Sequence, residues 1–170
     1  WTILAYAVLI GVGFMLVEIG LLQRFSVFLG HPTYSLSVVL FSLILAAGVG
    51  SLLSDSLRIT SPFSFSVWVV ITGGYILSQT IWVPSLLLSL DSETLLIRSL
   101  VSIAIITPAG LLMGYGFPTG MSFILAVDNR PTPWFWGING AASVLASATG
   151  VACSIAYGIG ATLSLGAICY

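Results

Sequence analysis

This sequence predicts an all-α, polytopic transmembrane helix bundle, on three observations. Of its 170 residues, 58% are hydrophobic and only 5% charged, whereas a soluble domain carries about 25% charged residues. The apolar residues gather in unbroken runs of about 20, the length a helix needs to span a bilayer core. These runs lack the ~10-residue alternation of a transmembrane β-barrel. A net charge of −1, with no run of Lys or Arg, offers nothing for nucleic acid to bind.

Five stretches meet the length test, at 1–23, 33–54, 63–84, 95–116 and 134–157, and a truncated sixth begins near Ile159. Gly30, His31 and Pro32 close the first connection. "SDSLRITSP" (54–62) holds Asp55 and Arg58 and ends at Pro62, a residue suited to the first turn of the next helix. "DSET" (91–94), with Pro84 ahead of it, separates the third and fourth stretches. "DNRPTP" (128–133) has two prolines and charges of both signs. Trp68, Trp82, Trp134 and Trp136 fall at or near segment ends, where indole prefers the headgroup layer.

The loops are too short to hold a soluble catalytic domain, so residues 1–170 read as one transmembrane domain. It is expected to be a piece of a longer protein, because it begins at Trp1 and stops in an apolar run at Tyr170. Arg24 and Arg98 fall on one side of the membrane and Arg58 and Arg130 on the other. That tie leaves the orientation open under the positive-inside rule. Cys153 and Cys169 lie in apolar segments without C-x-x-C spacing and are expected to be buried small hydrophobes.

Glu18 is the one carboxylate inside the first apolar run, and Ala7, Gly11, Phe14, Leu22 and Phe25 share its helical face. A charge facing lipid costs roughly 2.5–3.5 kcal/mol on insertion scales, so Glu18 is expected to point into the bundle. It reads either as a buried protonatable or cation-binding site or as a structural hydrogen-bonding group near the helix end. Asn139, Ser143, Ala146, Ser147, Gly150, Ser154 and Gly158 form a small, polar stripe on the fifth stretch. Such a stripe promotes close helix packing or walls a cavity. Asn139 and Ser143 are the candidate partners of Glu18 across the bundle.

"PAGLLMGYGFPTG" (108–120) carries Pro108, Gly116, Pro118 and Gly120, a helix that bends and then stops. An interfacial stop is the simpler expectation, and a break lining a cavity is the alternative. Gln23, Arg24, His31, Asp55 and Arg58 form a candidate loop or interface motif, with Arg24 and His31 expected to organise the first connection together. His31 has no second His or Cys at metal-ligand spacing, so no metal is expected. No nucleophile with a base, carboxylate pair or phosphate-cradling loop is present, so neither catalysis nor a cofactor is expected.

"GFMLVEIGLLQRFSVFLGHPTYSLSVVLFSLILAAGVGSLLSD", "GLLMGYGFPTGM" and "PWFWGINGAASVLAS" together resemble the membrane domain of spermidine-synthase-like integral membrane proteins. The resemblance covers nearly the whole chain. It implies a major-facilitator-like helical bundle joined to an aminopropyltransferase-like domain, and any such activity would lie in that separate domain. It places Glu18, Gln23, Arg24, Gly30, His31, Pro32, Phe117, Pro118, Gly120, Trp136, Asn139 and Gly140 in the family's membrane motifs. Two functions follow as expectations. One is a transport-like or solute-binding membrane domain, with a polyamine suggested by the resemblance alone. The other is a structural anchor for a fused soluble domain, or an accessory subunit of a larger membrane complex. The expected partners are the lipid bilayer and such domains or subunits.

Overall fold

The computed structural model describes residues 2–56, 59, 61–125 and 132–170. Among the described residues seven helices follow in order: α1 (Thr2–Leu29), α2 (Pro32–Ser56), α3 (Pro62–Ser89), α4 (Leu95–Gly114), α5 (Gly116–Leu125), α6 (Thr132–Tyr157) and α7 (Ile159–Ile168). Five spans are long and apolar enough to cross a membrane, with α4 and α5 together making one of them. The chain is an all-α, multi-pass bundle by length and composition. The short α7 occupies the place of the sixth stretch. Arg58 and Arg130 lie outside the described residues.

Three boundaries differ from expectation. α1 continues to Leu29, so Gln23 and Arg24 are helical rather than part of the connection. α3 runs through Pro84 to Ser89. Proline removes the N–H that would pair with the Thr80 carbonyl, and one residue before it Arg24 Nη1 donates to the Gln79 carbonyl at 2.7 Å. Finally, the glycine-proline segment does not stop. The helical run passes through Tyr115 into α5, and neighbouring side chains serve the carbonyls on either side of it. Trp68 donates to the Leu112 carbonyl at 2.9 Å and Tyr6 to the Gly116 carbonyl at 2.7 Å. Upstream, Tyr75 and Gln79 both donate to the Ile105 carbonyl, in the turn before Pro108. Trp68 is therefore a buried core residue rather than an interfacial anchor.

The turns are made locally. Gly30 has a φ of +75°, a region that costs a residue bearing a Cβ roughly 1–2 kcal/mol. His31 caps α2, its Nδ1 accepting from the Thr33 N–H at 3.3 Å, and Pro32 opens the helix. Ser61 caps α3 in the same way, accepting from the Ser64 N–H at 3.0 Å. Gly30→Ala is accordingly expected to lower stability by about 1 kcal/mol in thermal melts of the detergent-solubilised protein. An unchanged melt would show that this turn can adopt another conformation without cost.

α1 is the central helix, packing on α2, α6 and α7 and, less extensively, on α4 and α5. Its buried residues include Ala7, Val17, Leu21 and Phe25. Small residues set the close approaches. Ala46, Ala47 and Gly50 on α2 meet Gly110, Leu111 and Gly114 on α4, while Gly13 and Gly20 receive Cys169 and Leu163. Cys153 and Cys169 are half-buried free thiols, not buried as expected.

Candidate functional site

α1, α2, α4, α5 and α6 line a half-open cavity of about 320 Å³ beside Tyr115. Its wall is made by Gly11 and Phe14 of α1, Ser51 of α2, Gly114 of α4, Phe117 and Pro118 of α5, and Trp136, Asn139 and Ser143 of α6. The helical run continues through Tyr115, whose φ and ψ of −70° and −25° stay helical. This sets Phe117 and Pro118 beside α6, where the Phe117 and Trp136 ring centroids lie 4.4 Å apart. Gly11 admits the polar stripe of α6, since a Cβ there would sit 2.7 Å from the Asn139 carbonyl oxygen and 2.8 Å from the Ser143 hydroxyl.

Asn139 is tied to its neighbours on both sides. Its Nδ2 donates to the Ala7 carbonyl at 2.8 Å, and its own carbonyl accepts from the Ser143 hydroxyl at 2.8 Å. Among the described residues no hydrogen bond uses Asn139 Oδ1, which leaves that group able to accept from a solute. The remainder of the wall is hydroxyl, backbone, aromatic and aliphatic surface, the last from Ile10, Ala47, Met113 and Pro118, and none of its residues is charged. An amide, two hydroxyls and aromatic faces suit a neutral or weakly polar solute with an apolar side. They provide no carboxylate to neutralise a polycation.

The expected site residues divide. Asn139, Ser143 and Pro118 meet at this cavity, next to Gly116. Gly120 sits under the rings of Tyr6 and Phe135. Pro108 lies inside α4 among the buried residues Ile105, Ile106 and Ala109. The Glu18–Asn139 pair is not formed. Asn139 bonds at Ala7, eleven residues from Glu18, which is about 16 Å along a helix at 1.5 Å per residue. Glu18 is half-buried one turn beyond Phe14, and among the described residues no hydrogen bond or ion pair reaches its carboxylate. Arg24 and His31 do not act together, because one grips α3 and the other caps α2. Gln23 lies in a separate depression with Ser154 and Pro32. Asp55 is exposed beside Ser122, and its depression adjoins the cavity through Pro118.

Residue-by-residue reading missed Ser51 and the buried Gln79. Gln79 carried the same signal as Glu18, a polar side chain inside an apolar run. Ser51 carried none, being one small residue in a run of small and apolar ones. The aromatic wall was partly visible, in Phe14 on the face of Glu18 and in Phe117 and Trp136 through the resembled motifs. Comparisons of the chain with protein-family models, curated proteins and solved structures give no match.

Proposed function

We propose that this chain is the transmembrane part of a spermidine-synthase-like membrane protein with a transport-like or solute-binding role, and that it is not itself catalytic. The cavity at Asn139 carries the reading. It combines hydrogen-bonding groups with an aromatic wall between packed membrane helices, a place where solute sites are built. The uncharged wall favours a neutral or amphipathic solute over the polyamine that resemblance alone suggests. Glu18, one turn beyond the cavity, is the candidate protonatable neighbour.

Cysteine accessibility tests this. With Cys153 and Cys169 replaced by Ala, Ser143→Cys is expected to react with a charged, membrane-impermeant thiol reagent. Ala141→Cys, at nearly the same depth but on the outward face, is expected to be protected by lipid. Equal protection of both thiols would mean that no water-filled cavity exists, and the proposal would fail. The anchor reading would then stand. One observation already favours it: α6 turns Val144, Leu145 and Ile155 outward, 71%, 70% and 82% exposed, a broad apolar face for lipid or another membrane helix.

A further inference from the structure

At the end of the bundle where α1 meets the α3–α4 connection, one cation has no anion beside it among the described residues. Arg24 uses Nη1 on the Gln79 carbonyl, and among the described residues no carboxylate lies within salt-bridge distance of it. A guanidinium has five N–H donors, so Arg24 keeps donors to spare in a half-buried position. The nearby carboxylate is already engaged: Asp91 Oδ1 lies 3.6 Å from Arg98 Nη2. The Arg98 guanidinium also sits 5.0 Å above the Phe28 ring, and its Nε is buried without a hydrogen-bond partner.

Arg24 opens into a groove of about 270 Å³ between α1 and α3, whose other walls are Val27, Phe28, Pro84, Leu87, Leu88 and Asp91. Val27 and Leu88 are 79% and 78% exposed, so the groove opens toward the surrounding lipid. Arg24 lies one turn and a half from the end of α1, and Asp91 lies in the connection itself, which puts the charged end at headgroup depth. We propose that this groove holds an anionic phospholipid, its phosphate on Arg24 and one acyl chain across Val27, Leu87 and Leu88. Arg98, which does not itself line the groove, is paired with Asp91, so Arg24, with no carboxylate within salt-bridge distance among the described residues, leaves the groove positive, and basic pockets between membrane helices recognise anionic headgroups in this way. Glu93 is exposed in the same connection and does not line the groove.

The test is native mass spectrometry of the full chain in a nonionic detergent, with equimolar phosphatidylglycerol and phosphatidylcholine of identical acyl chains. The parent is expected to retain phosphatidylglycerol roughly fivefold better, the worth of one cation at a membrane surface, and Arg24→Gln to lose that preference. Equal retention by the parent, or an unchanged preference in Arg24→Gln, overturns the proposal. Asp91→Asn guards against misfolding of the first variant, because Asp91 is 71% exposed. It removes the only acid on the groove and is expected to raise the preference, so an unchanged or lower value also overturns it. Excess inorganic phosphate is expected to displace the lipid only in part. Complete displacement would mean that the apolar groove contributes nothing, and that the site binds phosphate rather than a phospholipid.

Discussion

Gly114→Val should destabilise the bundle by about 3 kcal/mol, the upper part of the usual range for overpacking. A Cβ at Gly114 would run into the backbone of Ala47, with the Ala47 carbonyl carbon and Cα both 2.9 Å away. Backbone cannot rotate aside as a side-chain tip can, so α2 and α4 must separate. The same crossing meets Gly50 and Leu111 from the other side, so the strain has no slack nearby to absorb it. Reversible unfolding in mixed micelles measures the loss. Gly48 lies on α2 with nothing within 4 Å, so Gly48→Ala is the control and should be neutral or stabilising by up to about 1 kcal/mol. Equal losses at both positions would show that the α2–α4 crossing is not the close contact described.

Gly11→Leu is expected to have the second large effect, and to strike the cavity directly. The added side chain enters the space between Phe14 and Asn139, pushing α6 away from α1 at a cost of about 2–3 kcal/mol. It should also protect Ser143→Cys from a charged thiol reagent, since Gly11 and Ser143 line the same cavity. Gly11→Ala should cost less. Asn139 Nδ2 and the Ser143 hydroxyl are side-chain ends that can turn aside, but the Asn139 backbone carbonyl oxygen, 2.7 Å from the added Cβ, obliges α1 and α6 to separate slightly. It should also cost the Asn139–Ala7 hydrogen bond, worth roughly 0.6 kcal/mol and at most about 1.7 between membrane helices. Combining it with Asn139→Ala should therefore be less harmful than the sum of the two single changes. Strict additivity would argue that the two residues do not share an interface.

The lengths and ends of the helices were largely readable from the chain because they are local properties. Twenty apolar residues must satisfy their own backbone in lipid, which makes them helical wherever their neighbours lie. Gly30, Pro32 and Pro62 likewise mark turns through the backbone angles they favour. The boundary errors came from partners remote in sequence. Arg24 stays in α1, beside a carbonyl of α3 fifty-five residues away. Tyr6, more than a hundred residues from Gly116, helps the helix continue past Tyr115.

Which faces meet was decided only by the tertiary structure. Lipid is as apolar as a Leu side chain, so inward and outward positions need not differ in hydrophobicity. In α1, Leu21 is fully buried and Val27 is 79% exposed, yet both are aliphatic. Polar residues gave the stronger hint, and Asn139 and Ser143 do reach the cavity. Their partner is set by the height at which α6 crosses α1, and that height follows from Gly11 admitting Asn139 and Gly150 meeting Leu16. By itself the sequence determined an apolar helical bundle with five spans and its turns. The fit of small residues against remote backbone decided that Asn139 holds Ala7, that Glu18 lies beyond the cavity, and that Arg24 faces an exposed groove between α1 and α3.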